Sequence, residues 1–345
     1  MKIIVFTASM GKGGSERVLS YLVREMVQQG DDVSLYLLID PSVAYPLPNQ
    51  VSVHFIRKYK KKVLNLLCWI KSIRRVVKQT DVVISFAYKI NIIVYFASLG
   101  LKKKLIFSER THPHHDGRTR FGISLCNNVY RRIDCLVVQN KPIQQCFSQG
   151  VIDNSVVISN PVEKGMDFAY QYDSNQIIAV GRLIREKNFG LLIDAFSIVR
   201  QKLPHLILVI LGEGNLRHQL TKQIYDLNLN DCVELPGVVD DVFMELSKSS
   251  LFVQTSIFEG QSNALLEALV HGLPVVVTQY DGVEDVVHHG VNGWITPPEI
   301  KQLAEMIVSV ITDLNSRKNA SNKARIITND LAPEAIFAKW RELLL

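Results

Sequence analysis

What most constrains this chain is a series of short apolar runs with helix-compatible segments between many of them. In the first half they are Lys2–Phe6, Val33–Ile39, Val51–Phe55, Val82–Phe86, Leu105–Phe107 and Cys135–Val138; a second series runs through Ile177–Val180, Leu206–Leu211, Val233–Leu235, Leu251–Thr255 and Val275–Val277. Strands of this length alternating with helices are buried on both faces, as in parallel sheets covered by helices. Two series predict two doubly wound α/β domains, and 345 residues are enough for two cores. Gly165 to Gln176 is short, polar and free of apolar periodicity, which marks it as the linker. The expected domains are therefore 1–165 and 176–330, facing each other across a cleft. The segment 331–345 carries Ile336, Phe337, Trp340 and Leu343 at helical spacing, and it is expected to pack back across the domains.

Composition excludes several classes. With 47% hydrophobic and 21% charged residues the chain is globular rather than disordered. Its five cysteines, Cys68, Cys126, Cys135, Cys146 and Cys232, include no C-x-x-C pair, so neither a zinc site nor a disulfide framework is expected. Met1 to Phe6 reads as a strand without a charged leader, and no apolar run reaches the roughly 18–20 residues that span a bilayer. A cytoplasmic protein with at most peripheral membrane contact is expected.

The run Phe258-Glu259-Gly260-Gln261-Ser262-Asn263-Ala264-Leu265-Leu266-Glu267 joins a strand to a helix, with Glu259 in the loop and Glu267 on the helix. Open α/β sheets bind ligands beyond the carboxyl ends of their strands, where helix-opening amides suit a phosphate or a sugar hydroxyl. Both carboxylates are expected outside the core. Gly181-Arg182-Leu183-Ile184-Arg185-Glu186-Lys187-Asn188 ends another strand, where Arg182 and Lys187 can converge on a diphosphate; a solvated basic loop is the plain alternative. Gly212-Glu213-Gly214 and Pro236-Gly237-Val238 end the neighbouring strands, either flanking a nucleobase or simply turning the chain. Near the amino end, Gly13 and Gly14 open a helix after the first strand. That turn suits a phosphate, but Glu16 stands where a dinucleotide-binding fingerprint needs its last glycine, which argues against an oxidoreductase.

Taken together, the Gly-Gly turn, G-R-L-x-x-E-K-N, G-E-G, P-G-V and F-E-G-x-x-N-x-L-L-E-A-L resemble the family-4 retaining glycosyltransferases of the GT-B fold, which has two Rossmann-like domains. The likeness covers most of the chain and is strong over 177–298, and it looks most like the branch extending lipid-linked oligosaccharides for O-antigen, capsule or protein glycosylation. The resemblance implies that Glu259 contacts hydroxyls of a donor sugar, that Glu267 binds ribose hydroxyls, and that Arg182 and Lys187 hold the diphosphate. It also implies that Gly260, Gln261, Asn263, Ala264 and Leu265 supply amides, that Gly212 and Val238 line the donor, and that Gly13 and Gly14 close on it. Gln261 and Ser262 lie where the family varies. Many relatives carry a Glu-His pair reaching the reacting sugar; here Arg110 follows Glu109 and His112 comes two residues later, leaving open whether His112 takes that role. The family is usually assigned a front-face mechanism, with a donor phosphate oxygen helping to deprotonate the acceptor. There is no Asp-x-Asp, so no metal or other cofactor is expected. His112, His114, His115 and Asp116 form a cluster better suited to solvation than to metal binding.

One feature lies outside these motifs. From Arg57 to Lys78 there are nine Lys or Arg and no Asp or Glu. Val63, Leu66, Leu67, Ile70, Ile73 and Val77 repeat at helical spacing beside Trp69, among Lys60, Lys61, Lys62, Lys71, Arg74 and Arg75. This suits a helix on an anionic membrane carrying a lipid-linked saccharide acceptor; a core helix with a basic solvated face fits equally. Nucleic acid is not indicated, because the interleaved residues are aliphatic rather than stacking aromatics. The expected activity is transfer of a hexose or N-acetylhexosamine from a nucleotide-sugar, a UDP-sugar first, to that acceptor. A nucleotide-sugar 2-epimerase shares two such domains, but the basic helix would then have no purpose. A non-catalytic recruiting subunit is countered by the intact Arg182, Lys187, Glu259 and Glu267.

Overall fold

The computed structural model describes residues 1–11, 13–56, 62–163, 171–326 and 328–345. Its strands are β1 (Lys2–Thr7), β2 (Asp32–Leu37), β3 (Ser52–Phe55), β4 (Val82–Phe86), β5 (Lys104–Ser108), β6 (Cys135–Val138), β7 (Ser155–Val157), β8 (Gln176–Val180), β9 (Ile207–Leu211), β10 (Val233–Gly237), β11 (Leu251–Gln254), β12 (Val275–Thr278) and β13 (Trp294–Thr296). They form a seven-stranded sheet, β3-β2-β1-β4-β5-β6-β7, and a six-stranded sheet, β10-β9-β8-β11-β12-β13. Every strand pair is parallel. Two edge strands, β7 and β13, have no counterpart among the apolar runs. Each is three residues long, too short to give a pattern of its own, and forms on the ladder of its neighbour.

Continuous burial explains the composition of the central strands: all five residues of β4 and all four of β12 are buried. Each sheet has an apolar core on both faces. The strand order reverses between β1 and β4 in the first sheet and between β8 and β11 in the second, so the loops after these strands diverge at the carboxyl edge. Such a switch point is where open α/β sheets leave room for a ligand.

The chain divides into a first unit, Met1–Pro161 with Pro333–Leu345, and a second, Val162–Ala332. The division falls before the expected linker because Val162 is already built into the second unit. It packs with Leu266, Val270 and Leu331, and its N–H donates to the Leu331 carbonyl at 2.8 Å. Residues 165–170 of the expected linker lie outside the described residues. The helix Pro333–Leu344 joins the core of the first unit through Ile336, Phe337, Trp340 and Leu344. Trp340 stacks on Phe86 with ring centroids 6.1 Å apart, and Arg341 pairs with the buried carboxylate of Asp31.

Candidate functional site

The switch point of the second sheet is built from the loops after β8 and β11. After β8 the chain makes a single 3-10 turn, Arg185–Lys187, and leaves it through Asn188 at φ 51°, a left-handed conformation that Asn tolerates better than most residues. The helix Phe189–Lys202 starts there and buries Phe189, Leu192, Ile193 and Phe196. The loop after β11 is tied to this turn. Thr255 Oγ1 donates to the carbonyls of Lys187 and Asn188 at 3.0 and 3.1 Å, and the Ile257 N–H donates to Glu186 at 2.8 Å. With the two backbones fixed, Lys187 Nζ forms an ion pair with Glu259 Oε1, which also accepts from Ser256 Oγ at 2.7 Å. Their side chains retain 18% and 13% exposure, so the pair is partly dry yet reachable.

The rest of the expected site is less uniform. Ser262 caps the helix Asn263–Val270 by accepting the Leu265 amide at 3.4 Å. That amide is therefore used by the cap rather than offered to a ligand, and Leu265 itself is buried. The Ala264 amide, one residue earlier, is among the helix-opening N–H groups without a partner inside the helix. Gly260, Gln261 and Asn263 are half-buried around it. Glu267 is 4% exposed, which corrects the expectation that it lies outside the core: it sits on a helix whose neighbours Leu265, Leu266, Ala268 and Leu269 are all buried. Arg182 is exposed beside the β8 turn. Gly212 has φ +133°, and a Cβ there would lie 2.0 Å from the Gly181 carbonyl oxygen; at Gly214 it would lie 2.3 Å from that of Leu183. Both glycines thus allow the loops after β8 and β9 to close-pack. Val238, after β10, stands 61% exposed on the same edge. Burial pushes the Tyr280 phenol up, with the Glu259 charge adding to the effect.

In the first unit, Gly13 precedes the helix Gly14–Gln28, and the Glu16 side chain folds back over it, 2.2 Å from where a Gly13 Cβ would stand. A carboxylate over the helix start suits a hydroxyl better than a second anion. After β5, side-chain alternation sends Glu109 to one face of the sheet. There it is fully enclosed, accepting from Arg118 Nη1 and Nη2 at 3.1 and 2.8 Å and from Tyr130 Oη. Arg118 also grips Asp116 and lies 4.1 Å over the Tyr88 ring. His112 is buried, its ring against His115 and its Nε2 3.4 Å from Cys146 Sγ. No group of metal-ligating side chains is found among the described residues.

Two family models match the sequence: "Glycosyltransferase Family 4" over residues 12–164 and "Glycosyl transferases group 1" over 168–326. The chain is a family-4 glycosyltransferase of the GT-B fold. A Campylobacter jejuni relative, N-acetylgalactosamine-N,N'-diacetylbacillosaminyl-diphospho-undecaprenol 4-alpha-N-acetylgalactosaminyltransferase, is 28% identical over 94% of both chains. The amylovoran biosynthesis glycosyltransferase AmsD of Erwinia amylovora is 23% identical over 99% of both. Among solved structures, Anabaena HepE in complex with UDP and glucose superposes at a TM-score of 0.85, with 21% identity over 100% of this chain and 99% of that one.

In this glycosyltransferase the basic helix, Lys62–Val77, divides its apolar residues between two roles. Ile73 and Val77 are buried, and Ile70 and Trp69 pack partly into the same core, so Trp69 is a packing residue rather than a surface one. Arg74 is also engaged: its Nη1 donates to the carbonyls of Ala97 and Leu99 at 3.0 and 2.6 Å, closing the end of the helix Tyr88–Ser98. Leu66 and Leu67 remain 45% and 53% exposed, with Lys71 and Arg75 exposed beside them. Lys60 and Lys61 lie outside the described residues, as does the side chain of Lys62. No helix among the described residues is long and apolar enough to cross a membrane.

Proposed function

We propose that this enzyme transfers a hexose or N-acetylhexosamine, with retention of configuration and without a metal, from a UDP-sugar to a lipid-linked saccharide in bacterial surface polysaccharide synthesis. The observation that carries this reading is the Lys187–Glu259 pair at the switch point of the second sheet. An ammonium has three donors, so Lys187 can hold Glu259 with one and offer the others to a diphosphate leaving group. Among the described residues Glu259 accepts from Lys187 and Ser256 at Oε1, so its other carboxylate oxygen can take sugar hydroxyls. Arg182 adds a second cation from the same turn, the Ala264 amide a helix-start donor, and Glu267 the ribose contact. The Anabaena relative's complex with UDP and glucose supports a uridine donor, and the Campylobacter relative's name supports a diphosphate-lipid acceptor.

The direct test is thermal stability and calorimetry with UDP and GDP, chelator present. A ligand at a hundredfold excess over Kd stabilises the native state by about 2.7 kcal/mol. Stabilisation by UDP in chelator is expected; a response to UDP only when Mg²⁺ or Mn²⁺ is supplied would overturn the metal-free reading.

The exposed part of the basic helix supports a peripheral site on the inner face of the cytoplasmic membrane. Lys71→Ala with Arg75→Ala, leaving the structural Arg74 intact, is expected to weaken binding to phosphatidylglycerol vesicles by about 1 kcal/mol per residue, and less at high salt. Unchanged partitioning at low salt assigns the helix to packing alone.

A further inference from the structure

The alternation that sends Glu109 to one face sends Ser108 and Arg110 to the other. Ser108 is the register partner of Phe86, and the Arg110 guanidinium carbon lies 5.0 Å from the Phe86 ring centroid and 5.9 Å from that of Trp340. Arg110 Nη1 donates to Asn160 Oδ1 at 2.9 Å, and the same oxygen accepts from Gln139 Nε2 at 2.8 Å. Among the described residues the Asn160 bond is the hydrogen bond of the Arg110 guanidinium. Nε and Nη2 are buried without a hydrogen-bond partner, and no carboxylate pairs with the cation among the described residues. Ser108 Oγ, Gln139 Oε1 and Trp340 Nε1, on the same side of the sheet, are also buried and unpartnered.

A buried unpaired charge is costly, and native structures rarely keep one without a use for it. The neighbouring carboxylate, Glu109, cannot serve, because the pleat turns it away and Arg118 and Tyr130 already hold it. Arg110 is left with one particular edge open, since Nε–H and Nη2–H form the side-on fork that meets a carboxylate or phosphate with two parallel hydrogen bonds. Ser108 Oγ and Trp340 Nε1 add donors, and Gln139 Oε1 adds an acceptor that matches a hydroxyl. Arg110 as a residue keeps partial exposure although its fork is buried, and it stands at the carboxyl end of β5, where sheets of this type take ligands.

We propose that Arg110 is an oxyanion receptor of the first unit, taking a carboxylate or phosphate borne by a sugar of the substrate. Burial pushes its guanidinium down to about 9, the direction set when no anion stands beside the cation. The inference rests on the transferase reading only in assigning the oxyanion to a substrate.

The test uses the full chain saturated with UDP, so that the proposed donor site is filled, and follows the Arg110 Nε–H resonance while glucuronate, glucose 1-phosphate or glucose is added. Should UDP itself fail to bind, the donor reading falls, while the Arg110 titration still reports on its own site. A saturating shift with either anion, absent with glucose, is expected; glucuronate acting at lower concentration marks an acidic sugar, glucose 1-phosphate a sugar phosphate. Arg110→Lys keeps the charge but loses the fork, and should bind the effective anion about tenfold more weakly. Arg110→Met removes the buried charge and should abolish anion stabilisation while leaving the anion-free midpoint unchanged or raised. An unmoved Arg110 resonance with both anions, or anion stabilisation that survives in Arg110→Met, overturns the proposal and leaves Arg110 as an anchor for Trp340.

Discussion

Lys187→Ala is expected to lower kcat/KM for sugar transfer by about 10²–10³-fold, the range seen when one preorganised donor to developing negative charge is removed. The loss has two parts. Without the ammonium, the leaving diphosphate loses a fixed cation in a partly dry site, and Glu259, 13% exposed, is left as an uncompensated negative charge near it. Lys187→Ala with Glu259→Gln removes the repulsion but leaves the cation missing, so it should recover only part of the loss. Glu259→Ala alone is expected to act on a different quantity, leaving UDP affinity nearly intact while removing the preference for UDP-sugar over UDP. Because the two side chains touch, their effects should not add. Full activity in Lys187→Ala sinks the site assignment; losses that add in the double variant sink the claim that the two act as a pair.

The strand series was legible because buried parallel strands carry a local signature: Val82–Phe86 and Val275–Val277 read as strands without any knowledge of their partners. The rim loops were legible because glycines and charges cluster where strands end. Other features were set by tertiary neighbours. The spacing of Ile336, Phe337 and Trp340 announces an apolar stripe, but nothing in it names the first unit as the partner. Trp69 and Arg74 read as surface groups of a basic helix, yet the adjacent helix Tyr88–Ser98 takes the guanidinium and the core takes the ring. Glu267 looked accessible because charged residues usually are, and only the packing of its helix buries it. Leu265 looked like an amide donor until Ser262 proved to be its cap. The isolation of Arg110 could not be read at all, since it depends on where Glu109 and Asn160 point.

Arg118→Met is expected to lower stability by about 3–5 kcal/mol, the cost of stranding a buried charge when its partner is removed. The side chains of Arg118 and Glu109 are each 1% exposed, and the guanidinium satisfies Glu109 and Asp116 together beneath the Tyr88 ring. Methionine fills similar space and keeps contact with the ring, so the deficit falls on the carboxylates rather than on packing. Burial already pushes the Glu109 carboxyl above its ordinary 4.5, with Arg118 and Tyr130 holding it back; deleting Arg118 releases it further upward. The sign follows from proton counting. A raised carboxyl makes the folded state bind more protons than the unfolded state, so stability is highest below about 4.5 and falls as pH rises toward the folded value. The variant's deficit should therefore be small in mild acid and grow toward neutral pH, as measured by denaturant unfolding across that range. Glu109→Gln in the Arg118→Met background removes the stranded charge and should flatten the pH dependence. A deficit independent of pH would trace the loss to the ring stacking or to Asp116, and a wild-type midpoint in Arg118→Met would show that the buried pair does not hold this unit together.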